Sequence, residues 1–194
     1  MKRLALCLVF ATTAAPAQQI TADRPGVGVD PETVPQGTLQ PEMGSDGEEV
    51  RIGISKGFEV NWQGGSGDHA EGVKLSLVDN AFAKASLRLA YDSQLHTVIE
   101  VPTNITITHW FNLGLDAAWS KSTKIYAAEF NFQPTQRLTI TPTAYYQDKP
   151  RAAIFAAWVP PSHDNAQFDA GYDQHRLSIG ISTALDFSHL FRRN

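Results

Sequence analysis

The chain has 194 residues, a formal net charge of −4 and a single cysteine. Its length allows one domain, and with no basic cluster anywhere it offers nucleic acid no electrostatic footprint. Beyond the first residues no apolar stretch approaches the roughly 20 that a membrane helix needs, which excludes a helical membrane protein.

Lys2 and Arg3 precede an apolar run from Leu4 to Ala15 that closes on Ala15-Pro16-Ala17. A basic start, a short apolar core and a small-x-small end predict a secretory signal over residues 1–17, cleaved before Gln18. Cleavage would remove two positive charges, taking the net charge to about −6. Cys7 lies within that signal, so the predicted mature chain has no disulfide.

Residues 18–36 carry Pro25, Pro31 and Pro35 with several glycines and show no periodicity. This predicts an extended arm, lying either in the periplasm or folded back into a barrel mouth. From residue 37 to the end the chain alternates apolar and polar side chains in short segments. Thr38–Met43 is a weak first strand interrupted by Pro41. Val50, Ile52 and Ile54 mark the second, and Phe58, Val60 and Trp62 the third. The glycine-rich stretch 64–68 reads as a flexible loop rather than a phosphate cradle, because no helix follows it. Val73, Leu75 and Leu77 mark the fourth strand, and Leu87, Leu89 and Tyr91 the fifth.

Six of the seven further strands follow the same rule. They fall at 99–108, Leu113–Trp119, Tyr126–Phe132, Leu138–Ala144, Phe168–Tyr172 and Leu177–Ile181. Ala152–Val159, between them, is apolar on both faces and its register is open. Period-two alternation gives each strand one apolar and one polar face. The expected fold is all-β: an antiparallel up-and-down transmembrane barrel of about twelve strands, over residues 37–194. One stretch, Pro160–Asn165, is longer than the turns usual at the inner rim of such a barrel. Trp62, Tyr91, Trp110, Phe111, Trp119, Tyr145, Tyr146 and Trp158 sit toward segment ends, as two interfacial girdles would require.

With the apolar face toward lipid, the polar face should line the lumen. The candidates are Arg51, Glu59, Asn61, Lys74, Arg88, Glu100, Asp116, Glu129, Asn131, Asp169, Asp173 and Arg176. Their mixed signs suggest ion pairs and water rather than a strongly anion- or cation-selective pore. Catalysis finds little support. Ser162-His163-Asp164 holds triad residue types, but adjacent positions cannot converge as a triad does, and His109 has no partner at a useful spacing. The six histidines show no metal-ligand spacing. No enzyme, cofactor or metal is expected.

The arm Thr21-Ala22-Asp23-Arg24-Pro25-Gly26, followed by Val34-Pro35-Gln36-Gly37-Thr38-Leu39-Gln40-Pro41-Glu42-Met43-Gly44, resembles the opening of the bacterial outer-membrane family described as the MetA-pathway of phenol degradation. Arg51–Ile54 with Phe58–Val60 is similar to that family's second hairpin, and Gln167–Gly171 with Leu177–Ile181 to its last two strands. The resemblance implies an outer-membrane transporter or channel with no catalytic residues. Its partners would be outer-membrane lipid, a small-molecule solute (hydrophobic and aromatic ones included) and the barrel-assembly machinery. Two alternatives stand beside it: a structural barrel with a plugged lumen, and a soluble periplasmic barrel with inverted faces that binds an apolar ligand. Which face of 86–91 points outward decides between membrane and soluble forms.

Overall fold

The computed structural model describes residues 29–45, 47–65, 68–161 and 163–187. The predicted signal and the first part of the arm lie outside the described residues. In order, the strands are β1 (Thr38–Gly44), β2 (Gly47–Ser55), β3 (Phe58–Gly64), β4 (His69–Asp79), β5 (Ala83–Asp92), β6 (His96–Glu100) and β7 (Thr103–Thr108). There follow β8 (Phe111–Trp119), β9 (Lys124–Thr135), β10 (Leu138–Gln147), β11 (Lys149–Trp158), β12 (Ala166–Asp173), β13 (Arg176–Thr183) and the two-residue β14 (Leu185–Asp186).

All pairings are antiparallel and join strands next to one another along the chain, and β13 pairs with β1, so the sheet closes on itself. Two of the fourteen segments are continuations. β6 and β7 both lie between β5 and β8, and β14 prolongs β13 along β1. The barrel therefore has twelve strands. The break between β6 and β7 falls at Pro102, which has no amide to donate. The ladder is kept across it, because Val101 N–H donates to the Ala117 carbonyl at 2.9 Å and Pro102 O accepts from Ser86 N–H at 3.1 Å.

The long connection at Pro160–Asn165 is real and leaves the count intact. Arg137 holds it by donating Nη1 to the Pro160 carbonyl at 2.8 Å and to Asp164 Oδ1 at 2.9 Å. It lies on the rim that also carries the start of β1 and the end of β14. The opposite rim carries tight turns at 148 and 174–175 beside longer connections such as 120–123. At Gln174-His175 both residues have positive φ, the conformation that lets a two-residue hairpin follow the twist of its strands.

The faces are inverted relative to a soluble protein. On β5, Ser86 is 0% and Arg88 5% exposed, whereas Leu89 is 44% and Tyr91 50% exposed. The same holds around the ring: Leu75, Ile99, Leu115, Ile154, Phe168 and Ile179 face outward, and the enclosed side chains are largely polar. A soluble barrel with apolar contents requires the reverse, so that alternative falls.

Outward aromatics gather at both rims. Trp62, Tyr91, Tyr126, Tyr146 and Tyr172 lie toward one, Trp110, Phe132, Trp158 and Phe168 toward the other. Tyr145 departs from the expectation. It has the parity of Thr141 and Thr143, points inward, and donates its hydroxyl to Asp173 at 2.8 Å. The register of β11, open in the sequence, is settled with Ala153 and Phe155 inward and Ile154 and Trp158 outward. Phe155 lies over Gly171, where an added Cβ would stand 2.3 Å from the ring. Such aromatic cover compensates a glycine in a curved strand. Gly171→Val is therefore expected to destabilise the barrel by about 1–3 kcal/mol through overpacking, read as an earlier unfolding midpoint in detergent.

Candidate functional site: the enclosed polar face and the arm

Period two sends alternate residues of β1–β5 inward and packs their polar ends together. Arg51 on β2 donates Nε and Nη2 to the two Glu59 oxygens of β3, both at 3.0 Å, and its Nη1 lies 3.5 Å from Glu42 on β1. Lys74 on β4 approaches Glu59 at 3.3 Å. All four side chains are fully enclosed. Farther round, Arg88 pairs with Glu100 at 3.1 Å and donates to Gln63 at 3.0 Å.

The arm enters this cluster. Val34 N–H donates to Glu59 Oε2 at 2.7 Å, and Arg51 Nη2 donates to the Glu32 carbonyl at 2.8 Å. Lys74 Nζ donates to the carbonyls of Asp30 at 2.9 Å and Glu32 at 3.3 Å. Lys84 on β5 pairs with the Glu32 carboxylate. At its other described end, the backbone of Val29 lies close to the Asp116 carboxylate on β8, nearly opposite β2 in the ring. Of the two placements the sequence left open, the described part of the arm takes the inner one. It crosses the bore.

Gly53 makes room for the crossing. A Cβ there would stand 2.0 Å from the Pro35 carbonyl oxygen and 2.4 Å from that of Val34. At the same place Gly37 N–H donates to the Gly53 carbonyl at 2.9 Å. A wall glycine thus forms the seat of the arm.

Of the twelve residues predicted to line the lumen, Arg51, Glu59, Asn61, Lys74, Arg88, Glu100 and Asp116 are buried on the enclosed face. Glu129, Asn131, Asp169 and Asp173 share its parity and are partly enclosed. Glu129 lies close enough to Asp116 to act on it electrostatically, as does Glu100. Arg176 has the inward parity but sits exposed at the rim, where it pairs in register with Asp173 beside the tight turn. Sequence reasoning missed Gln40, Glu42, Glu49, Ser86, Thr141, Thr143, Gln167 and Ser182, all buried on the same face. Parity from a neighbouring predicted residue would have found most of them. His163 and Asp164 lie exposed in the long loop, and His109 in a turn. Among the described residues they do not converge on a nucleophile.

A closed antiparallel barrel with apolar exterior and polar contents has the fold of the porins. Among solved structures it is similar to KdgM porin, with a TM-score of 0.55 and 10% identity over 77% of this chain and 98% of that one. It is similar also to KdgM porin in complex with disordered oligogalacturonate, with a TM-score of 0.54 and 10% identity over the same shares of the two chains. An engineered variant of the Rhodopseudomonas blastica porin matches with a TM-score of 0.44 and 10% identity, over 72% of this chain and 55% of that porin. At these identities the likeness defines the fold. No protein-family model and no curated protein matches the chain.

Proposed function

We propose that the chain is a bacterial outer-membrane channel for small solutes, narrowed by its own N-terminal arm. One observation carries the reading: the closed ring is apolar outside and polar inside. Burial of that exterior in hydrocarbon satisfies it, and closure leaves no strand edge unpaired in lipid. The secretion signal read in the sequence supports delivery past the inner membrane. An enclosed apolar stripe of Ala127, Tyr145, Ala153 and Phe155 supports aromatic or hydrophobic cargo, as does the arm's resemblance to the phenol-degradation family.

A second reading, a structural barrel with a plugged lumen, is favoured by the arm itself and by the paired charges around Glu59. Conductance in planar bilayers separates the two. The channel reading expects the full-length protein to conduct weakly and a variant lacking residues 18–36, with 1–17 retained, to conduct several-fold more. If neither conducts, the channel reading fails and the plugged barrel stands.

A further inference from the structure

The arm's grip on the wall has the chemistry of a bound ligand. Three cations, Arg51, Lys74 and Lys84, face it from β2, β4 and β5, with Glu59 on β3 between the first two. Arg51 and Lys74 also pair with a wall carboxylate, Glu59, whereas the ion pair described for Lys84 runs to the arm's own Glu32. Asp79 lies opposite Lys84 in register, exposed at the end of β4. The Lys84–Glu32 pair is about a third exposed, unlike the fully enclosed contacts at Glu59. It is the part of the grip that a solute can reach first.

We propose that the wall around Lys84, Lys74 and Arg51 is a binding site for a solute carboxylate, occupied in this structure by Glu32 and the carbonyls of the arm. A carboxylate entering the bore would take the place of Glu32 on Lys84 and of the arm oxygens on Lys74 and Arg51. The arm then leaves its seat at Gly53 and the bore widens. This rests on the channel reading, and it names the solute class that would open the channel. Replacing one charge-assisted contact by another costs little, whereas losing it outright shifts the arm toward the released form by roughly tenfold.

The test uses the full-length chain with two readouts. In planar bilayers, sodium propionate, which matches the glutamate side chain, is compared with sodium chloride at equal ionic strength and with neutral propionamide. Propionate is expected to raise conductance several-fold and saturably; propionamide is expected to leave it unchanged. Gly53→Val, which fills the seat, is expected to conduct at the high level without propionate. Independently, Val34→Cys in a Cys7→Ser background reports arm release by maleimide labelling, since Val34 is fully enclosed. Labelling is expected to be roughly tenfold faster with propionate. Lys84→Met is expected to label fast in either salt.

If propionate changes neither conductance nor labelling while Gly53→Val conducts, the carboxylate site is overturned and the channel survives. If Gly53→Val inserts but does not conduct, the channel reading itself is lost. Should Gly53→Val fail to insert, the labelling rates decide the carboxylate site alone.

Discussion

Glu59→Ala is expected to lower the stability of the barrel by about 3–5 kcal/mol, the cost typical of removing one partner from a buried ion pair. The Glu59 carboxylate accepts two bonds from Arg51 and one from the Val34 amide, and it faces Lys74 at 3.3 Å. Its loss leaves two enclosed cations with less compensation and also unties the arm. The temperature at which the folded band is lost on an unheated-to-heated gel series measures it. Lys121→Ala, an exposed side chain in the turn between β8 and β9, is the control and should fall within about 0.5 kcal/mol. Equal behaviour of the two variants would show that the cluster does not hold the wall together.

Leu89→Arg carries the second large effect. Leu89 lies on the outward face of β5 between Val73 and Ile99. A cation on the lipid face costs up to about 2–4 kcal/mol, falling toward the rims, so folding into vesicles should become less efficient. On a protein surrounded by water, an exposed Leu→Arg change is nearly neutral. Resistance to alkaline extraction that is lost in this variant and kept in wild type is the expected result. Unchanged extraction in both would contradict a lipid-facing β5.

Much of the barrel was legible because alternation reports faces directly. On β5, Ser86, Arg88 and Ala90 must share a side if Leu87, Leu89 and Tyr91 share the other, and the structure keeps that division. The count of twelve survived even where one connection is long, since each hairpin carries its own period. What failed did so for local reasons. Pro41 hid the alternation of β1, and with it the inward Gln40 and Glu42. β11 is apolar on both sides, so only its pairing with Pro142 and Tyr172 fixes which residues turn inward.

Residue type groups Tyr145 with the rim aromatics, although its parity with Thr141 and Thr143 puts it inside. The arm was least legible. Its partners recognise main-chain carbonyls and an amide, and no residue pattern encodes those. The one sequence trace of its seat is Gly53, and a glycine in a strand has many causes.

The seam between β1 and β13 governs how this protein can come into being. It is joined at Glu42–Gly44 opposite Gly180–Ser182, resumes at Thr38 and Leu39 opposite β14, and is held at the rim by Ser45 with Ile179, partners 134 positions apart in the chain. Between these points Ala184 turns its amide away to Asn165. Until the last hairpin arrives, the first strand has a bare edge, and so does the strand before that hairpin. Two bare edges cannot be tolerated in hydrocarbon, and they invite pairing with a second chain. Closing over so long a stretch of chain is also the contact that forms most slowly. Closure is therefore what removes the adhesive edges, and until the ring meets itself the growing edge has to be guarded from other chains.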